Sequence, residues 1–243
     1  MAEEPTDPPV VSVLYESGPC LAVLKPGGLL TQAPRGIPSL EERVRSFLRR
    51  REGKKGGLYL GVPHRLDRPA SGVVVMARHQ RATRRLAEQF AGRMVTKKYW
   101  AILEGELASP SGRWRDYLAK RPDQAHVDVV DSHTPGAKEA RLGYRVISAA
   151  SGFTWVEIEL ETGRTHQIRV QASARGAPIV GDEQYGARTR FGRPVNDPRS
   201  RLIALHGRSI RFKHPMTREQ VVVEAPLPDA WASFDPSRGA ARD

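Results

Sequence analysis

Short apolar runs separated by turn residues make up most of the hydrophobic pattern of this chain. The runs at 10–15 and 20–24 flank a Ser-Gly-Pro sequence at 17–19, and this arrangement predicts two strands joined by a turn. A continuous apolar run at 73–77 follows a loop marked by proline and glycine, which predicts a buried strand.

The second half of the chain repeats this strand pattern. Residues 140–147 and 153–160 predict a hairpin, and the alternation in its second arm indicates one packed face and one wet face. Residues 202–207, 210–215 and 221–226 predict three closing strands.

Two segments change to a helical period. Ser39 and Glu42 have the spacing of a capping box, and apolar residues then recur on one face up to about Arg51. Gly53 is expected to end this helix. Residues 80–92 predict a second helix whose apolar side chains face inward.

The length and composition indicate one globular domain. At 243 residues with 39% hydrophobic residues, the chain can bury one core around a cleft. We expect the domain to span 10–232, with a disordered tail at 1–9 and a mobile tail at 233–243. No stretch approaches the roughly 20 apolar residues that cross a bilayer, no signal peptide is evident, and Cys20 is the only cysteine. The sequence therefore predicts a cytoplasmic protein with no membrane span.

The charge balance points to a partner that carries phosphates. The chain has 39 Lys and Arg residues against 27 Asp and Glu residues, a net charge of +12. An arginine-rich composition can also follow from genome base composition, and charge alone does not separate RNA from DNA. No nucleotide-binding glycine motif and no metal-binding histidine motif occurs in the sequence, so we predict neither a cofactor nor a metal.

One loop, residues 64–72 with the sequence H-R-L-D-R-P-A-S-G, surrounds an acid with cationic side chains. Asp67 stands beside Arg68 and near His64 and Arg65, and positive charge favours the ionised carboxylate. Local composition alone fits an acid that is neutralised on a surface turn. The alternative is a catalytic carboxylate, and the choice depends on the rest of the chain.

Several segments together resemble the signature motifs of one enzyme family. Residues 64–72 match H-R-L-D-x-x-x-S-G, and residues 97–105 match K-x-Y-x-A-x-x-x-G. Residues 163–170 match G-R-T-H-Q-I-R-V, with a downstream G-x-P-I-x-G-D-x-x-Y-G at 176–186. In this order the segments resemble the RluA-type RNA pseudouridine synthases of bacteria, over roughly residues 13–228. We expect no S4-type RNA-binding module before the matched region, and we therefore expect recognition to rest on the catalytic domain.

The resemblance implies a mixed α/β fold of the α+β type, with a long, mostly antiparallel sheet, flanking helices and a central active-site cleft. The predicted hairpins and few helices agree with that fold. The resemblance also implies that Asp67 is catalytic, that Tyr99 lies against the target base, and that Arg169 pairs with Asp67. A bidentate guanidinium would suit that pairing. The other motif residues that we expect to contact the substrate are His64, Arg65, Leu66, Arg68, Arg164, Thr165, His166, Gln167 and Ile168.

The implied reaction converts uridine to pseudouridine in RNA. The N1–C1′ bond breaks and the uracil rejoins through C5, after the nucleotide has been flipped from the stack and Arg65 has filled the gap. The sequence leaves open whether Asp67 is a nucleophile or a base on the sugar, and whether the RNA is ribosomal RNA or a tRNA stem-loop. We expect a monomer. A glycosylase-like enzyme and a catalytically silent RNA-binding protein are the alternatives.

Overall fold

The computed structural model describes residues 10–53 and 56–234. The predicted tail at 1–9 and most of the predicted tail at 233–243 lie outside these residues. Within them, the chain forms ten strands, three α-helices and three short 3-10 turns. In chain order the strands and helices are β1 (Val13–Ser17), β2 (Cys20–Lys25), α1 (Leu40–Arg51), β3 (Ser71–Ala77), α2 (Gln80–Ala91), β4 (Thr96–Glu104), β5 (Ser111–Lys120), β6 (Val127–Val130), β7 (Lys138–Ala150), β8 (Phe153–Leu160), α3 (Gln167–Ser173), β9 (Leu205–Lys213) and β10 (Gln220–Glu224).

All these strands belong to one sheet. Its order is β1-β2-β3-β9-β4-β8-β7-β5-β6, and β10 pairs with β9 beside this path. The strand pairings in the described ranges are antiparallel, except that of β3 with β9. This large, mostly antiparallel sheet with few helices confirms the predicted fold class. Strands from distant parts of the chain, β3, β9, β4 and β8, therefore meet at its centre.

Strand β3 is buried along its whole length because both faces of the sheet are covered there. Val73 packs in one apolar cluster with Leu86 of α2. Val74, which points to the opposite face, packs with Val44 of α1. Covering on both sides explains why the sequence shows a continuous apolar run at this strand rather than an alternating one.

Helix α1 begins at the predicted cap. The hydroxyl of Ser39 accepts a hydrogen bond from the backbone N–H of Glu42 at 3.2 Å, which satisfies one of the free amides of the first turn. The Glu42 carboxylate accepts instead from the Ser46 hydroxyl at 3.1 Å, so only half of the predicted capping box forms.

In the ranges that the structure describes, no helix has the length and apolar character needed to cross a membrane.

The last part of the chain differs from the prediction in two respects. The strands predicted separately at 202–207 and 210–215 form one strand, β9, because β4 pairs with both halves of it. The final 3-10 turn extends to Phe234, whose ring lies 5.5 Å from that of Phe153. The folded part therefore continues two residues beyond the boundary predicted at 232.

The parallel pairing of β3 with β9 places loop 64–72 beside the centre of the sheet. At this pairing Gly72 has φ +134, a conformation that side chains rarely adopt. A Cβ atom there would lie 2.4 Å from the backbone nitrogen of Gly207. Glycine is therefore required where the two strands approach, and this contact holds the end of the loop in place.

Candidate active site

A cleft of about 440 Å³ opens where loop 64–72 meets the segment before α3. Its walls come from this loop, the C-terminal end of α2, the start of β4 and residues 160–169. The sheet order explains the meeting, because β3, β9, β4 and β8 are successive neighbours and β8 leads directly towards α3.

The cleft is lined by nearly all the residues that the sequence motifs single out. Asp67, Tyr99 and Arg169 line it, and so do the predicted contacts His64, Arg65, Leu66, Arg164, Thr165, His166, Gln167 and Ile168. Arg68 is not among the lining residues, since its Nε donates to the carbonyl of Gly28 at 3.1 Å. Arg68 therefore fastens loop 64–72 to the preceding turn.

Asp67 directs one carboxylate oxygen at two nitrogen atoms. Its Oδ2 lies 3.7 Å from Nη1 of Arg169 and 3.9 Å from Nε2 of His166. The Asp67 side chain is 18% exposed, so it is accessible from the cleft. Oδ2 is thus the oxygen of Asp67 that lies nearest to both nitrogen atoms.

Arg169 makes its bidentate contact with Asp182, and its pairing with Asp67 is a single longer contact at 3.7 Å. Nε and Nη2 of Arg169 donate to the two oxygens of Asp182 at 2.7 and 2.8 Å, and Nη2 also donates to Oε1 of Gln184 at 2.9 Å. The side chains of Arg169 and Asp182 are only 4% and 1% exposed. The planar guanidinium is thus anchored by Asp182 and offers its remaining nitrogen, Nη1, to Asp67.

Lys25 supports the backbone around Asp67. Its side chain is fully buried, and Nζ donates to the carbonyls of Pro26, Arg68 and Ala70 at 2.9, 3.2 and 2.7 Å. Burial lowers the pKa of Lys25 to about 7, whereas the charge of Asp67 acts in the opposite direction. Lys25 therefore fixes the loop and places a titratable amine close to the carboxylate.

Thr31 fixes the same loop on the other side of Asp67. Its hydroxyl donates to the carbonyl of Leu66 at 2.9 Å and accepts from the Leu66 N–H at 3.1 Å. The Leu66 side chain is buried. With backbone contacts on both sides, Asp67 is held in position before any ligand enters the cleft.

Tyr99 and Lys97 both line the cleft from β4, as strand alternation predicts. A register shift against β9 lies between Lys98 and Tyr99, a local irregularity of the kind that redirects side chains. Burial, and then the charge of Asp67, raise the pKa of Tyr99, so its phenol stays protonated at neutral pH. Burial also lowers the pKa of Lys97.

His64 forms a wall of the cleft and adds no positive charge beside Asp67 at neutral pH. Its Nε2 accepts the backbone N–H of Val75 at 2.9 Å, and its ring stacks on Phe90 with 4.4 Å between centroids. Burial, and then the charge of Lys97, lower the pKa of His64 to about 3. The ring is therefore a neutral acceptor.

The segment before α3 is held by hydrogen bonds to the protein itself. Oε1 of buried Gln167 accepts from the Thr162 hydroxyl at 2.8 Å and from the Arg164 N–H at 3.1 Å, while Nε2 donates to the Arg141 carbonyl at 3.0 Å. Nε of Arg164 donates to the Glu139 carbonyl at 2.9 Å. These two predicted contacts thus have structural partners as well as a place in the cleft.

The rim of the cleft is more exposed than its floor. Arg65 and Thr165 are exposed, whereas Ile168 is buried in the core below. A large ligand therefore meets Arg65 and Thr165 first.

Across 10–53 and 56–234, no group of three or more His, Cys, Asp or Glu side chains is arranged to hold a metal ion.

A family model described as RNA pseudouridylate synthase matches residues 20–174 of the chain. The chain belongs to the RNA pseudouridine synthase family. Among its relatives, RNA pseudouridine synthase YlyB of Bacillus subtilis is 32% identical over 95% of this chain and 73% of that protein. Ribosomal large subunit pseudouridine synthase D of Xanthomonas campestris is 34% identical over 93% of this chain and 68% of that protein.

A solved structure shares the fold. The human protein RNA Pseudouridylate Synthase Domain Containing 4 superposes with a TM-score of 0.74 at 23% identity, over 91% of this chain and 90% of that one. RNA pseudouridine synthases are isomerases that act on RNA, and this synthase carries their fold over most of its length.

The cleft of the synthase also depends on residues to which the sequence assigned no role. Asp182 and Tyr185 lie in the matched segment at 176–186, but their separation from Arg169 along the chain does not show that this segment turns back onto α3. The residue of this segment that best indicates such a turn is Gly181. Its φ is +87, and a Cβ there would lie 2.4 Å from the carbonyl oxygen of Leu202, so a tight turn precedes Asp182.

His64 is expected to make this synthase sensitive to acid. Its folded-state pKa is depressed, so the folded protein binds fewer protons than the unfolded chain between about pH 6.5 and about pH 3. The contribution of neutral His64 to the free energy of unfolding is fully present above this window. It falls as the pH is lowered, by about 1.4 kcal/mol per pH unit for one such group.

Urea titrations of His64→Gln measure this effect. The glutamine oxygen can accept the Val75 N–H without titrating, so we expect a shallower loss of unfolding free energy between about pH 6 and 4.5. His206, whose pKa burial lowers to about 4, titrates in both proteins and cancels in the comparison. Equal slopes in the two proteins would contradict the assignment.

Proposed function

We propose that this chain isomerises uridine to pseudouridine in structured RNA, with Asp67 as the residue that acts on the ribose. The observation that carries the proposal is the meeting of Asp67, Tyr99 and Arg169 at one cleft. These residues come from three separate segments, and the pairing of the central strands holds them together. The net charge of +12 supports a phosphate-bearing substrate.

The chemistry requires a carboxylate that reaches the sugar of the target nucleotide. The N1–C1′ bond breaks, C5 of the uracil bonds to C1′, and the C5 hydrogen is then released while N1 gains a proton. Asp67 acts either as a nucleophile at C1′ or as a base on the sugar, and both roles need a free carboxylate oxygen. Oδ2 is the oxygen nearest to Arg169 and His166, so we assign the reaction to the other oxygen, Oδ1.

Tyr99 is assigned to the stack against the uracil. Stacking of a base on an aromatic side chain contributes about 1–3 kcal/mol and tolerates rotation of the base in its plane. The raised pKa of Tyr99 keeps the phenol neutral, so it places no second negative charge beside Asp67.

Arg65 is assigned to the gap that the flipped nucleotide leaves. It is exposed on the rim, two residues before Asp67, where its side chain can reach an RNA helix above the cleft. Because extruding a base costs a few kcal/mol, we expect Arg65→Ala to lower kcat/KM on folded RNA by about 10- to 100-fold with an unchanged melting temperature.

Release of tritium from transcripts labelled at uridine C5 measures the Arg65→Ala effect. Arg113→Ala is the matched control, since Arg113 is 84% exposed on β5, outside the cleft lining, and its removal changes the charge equally. If kcat/KM falls equally in the two variants, Arg65 contributes only general positive charge and does not fill the gap.

Ribosomal RNA is the first substrate to test. The relative from Xanthomonas campestris is named for the large ribosomal subunit, which supports this choice. A tRNA stem-loop is the second candidate, because both RNAs present uridines in loops from which a base can be turned out. The monomeric state and the cytoplasmic location stay predictions.

The test of the function is a map of pseudouridine in RNA from cells with and without this gene, made from carbodiimide adducts read by reverse transcription. Loss of one or a few sites, restored by the wild-type gene, would support the proposal and name the RNA. Release of free uracil by the purified protein would identify a glycosylase instead. No lost site, together with no activity on ribosomal and transfer RNA transcripts, would leave a silent RNA-binding protein.

A further inference from the structure

His166 connects Asp67 on one side of its ring to Tyr185 on the other. Nε2 of His166 lies 3.9 Å from Oδ2 of Asp67, and Nδ1 lies 2.9 Å from the hydroxyl oxygen of Tyr185. The backbone N–H of Val127 donates to the same hydroxyl oxygen at 3.0 Å. The His166 side chain is 12% exposed and Tyr185 is 5% exposed, so water has little access to this chain of contacts.

The direction of these hydrogen bonds follows from counting protons. The Tyr185 oxygen already accepts from Val127, and its one hydrogen has Nδ1 of His166 as an acceptor. A neutral imidazole that accepts at Nδ1 carries its own hydrogen on Nε2. In the other tautomer, the Nε2 lone pair would face the Asp67 carboxylate, and the Tyr185 hydrogen would lose its acceptor in this contact.

We propose that Tyr185 and His166 are positioning residues for Asp67: the Tyr185 hydroxyl fixes His166 as the Nε2–H tautomer, which donates to Oδ2 and leaves Oδ1 for the substrate. The inference rests on the proposed function of Asp67. The 3.9 Å separation exceeds a hydrogen bond, and a movement of about 1 Å closes it when substrate orders the site.

The charges around His166 agree with a neutral ring. Burial lowers the pKa of His166, while Asp67 opposes this effect; Arg169 lowers it, Asp182 raises it, and Arg65 lowers it. The charges on loop 64–72, on α3 and on the segment after Gly181 oppose one another, so burial has the largest effect on the pKa of His166. His166 therefore acts as an uncharged donor at neutral pH.

Tyr185 supports both donors that flank Oδ2. Its hydroxyl contacts His166, and its ring lies under the guanidinium of Arg169, 4.9 Å from Cζ to the ring centroid. Burial raises the pKa of Tyr185 to about 12, so the hydroxyl keeps its hydrogen throughout the working range. One side chain thus orders the two nitrogen atoms that face the carboxylate.

The backbone of His166 is also unusual. Its φ of 52 and ψ of 20 lie in the left-handed region, immediately before α3. Such a conformation is unfavourable for a non-glycine residue, and its persistence indicates a site that requires it. Here it turns the imidazole between Tyr185 and Asp67 while the His166 carbonyl still accepts from Val170 at 3.0 Å.

The tautomer is measured directly by nitrogen NMR of protein labelled at histidine. We expect His166 of the wild-type protein to carry its hydrogen on Nε2, and the Tyr185→Phe variant to show a mixture of tautomers. The phenylalanine ring keeps the stacking on Arg169 and removes only the hydroxyl. A wild-type ring protonated at Nδ1 alone, or an unchanged tautomer in Tyr185→Phe, would overturn the proposal.

The kinetic test is a double-mutant cycle. We expect Tyr185→Phe to lower kcat by about 10-fold with little change in KM, since a positioning effect acts on the chemical step. His166→Gln places an amide donor at similar reach and needs no tautomer, so it should retain more activity than His166→Ala. In the His166→Gln background, adding Tyr185→Phe should have no further effect on kcat.

Tyr144→Phe is the matched control, because the Tyr144 hydroxyl donates to the Ser109 carbonyl at 3.4 Å and lies outside the cleft lining. Melting temperatures of all variants separate loss of the Val127 hydrogen bond from loss of positioning. If Tyr185→Phe lowers kcat equally with and without His166→Gln, Tyr185 acts by another route and the proposal fails. The NMR result needs no substrate, so it decides the arrangement even if uridine isomerisation is not found.

Discussion

Asp67→Asn is expected to abolish pseudouridine formation while RNA binding changes little. Asparagine keeps the shape of the side chain but supplies neither a nucleophilic oxygen nor a base, so the loss of single-turnover rate should reach about 10⁴-fold or more. RNA affinity rests mainly on cationic contacts with phosphates, to which a carboxylate adds nothing favourable. Tritium release from uridine C5 measures turnover, and filter binding at one fixed salt concentration measures affinity.

The matched control for Asp67→Asn is Asp123→Asn. Asp123 is exposed in the turn between β5 and β6, so its replacement changes the net charge equally and leaves the cleft intact. Both variants should bind RNA slightly more tightly than the wild type, because each removes one negative charge. Turnover by Asp67→Asn within about 10-fold of the control would show that Asp67 is not the catalytic group.

The local hydrophobic pattern predicts an element well when the cover on its faces is uniform along its length. The run at 73–77 is apolar throughout because α1 and α2 cover both faces of β3, and the sequence shows that directly. The pattern predicts two strands, 202–207 and 210–215, where the structure has β9 alone, because the pattern weakens after Gly207, yet β4 pairs across that point. A break in hydrophobicity alone does not show whether pairing continues, since the partner strand is distant in sequence.

The site was predictable where a motif carries the whole contact and not where two segments share it. Loop 64–72 and the segment at 163–170 converge on the cleft as the resemblance implied. The bidentate partner of Arg169 was not predictable, because Asp67 and Asp182 are both carboxylates within reach of one guanidinium. Which of them receives two hydrogen bonds depends on distances of about 1 Å, set by the turn at Gly181.

Asp182→Asn is therefore expected to lower both the stability and the activity of this synthase. Removing one partner of a buried ion pair leaves the other charge uncompensated, a loss of about 3–5 kcal/mol in unfolding free energy. Arg169, 4% exposed, would then lack its bidentate acceptor, and Nη1 would no longer be held 3.7 Å from Asp67. A loss of that size is a large part of the roughly 5–15 kcal/mol that stabilises a typical domain.

The sharpest comparison for Asp182→Asn is Asp128→Asn, because Asp128 accepts a similar bidentate contact from Arg121, at 2.6 and 2.8 Å, on the surface. Those two side chains are 33% and 49% exposed, so the same substitution should cost less than about 1 kcal/mol. Urea titrations of both variants measure the difference, which isolates burial because chemistry and geometry are matched. Equal losses would mean that Asp182 does not anchor Arg169, and the guanidinium would then owe its position to Gln184 and the ring of Tyr185.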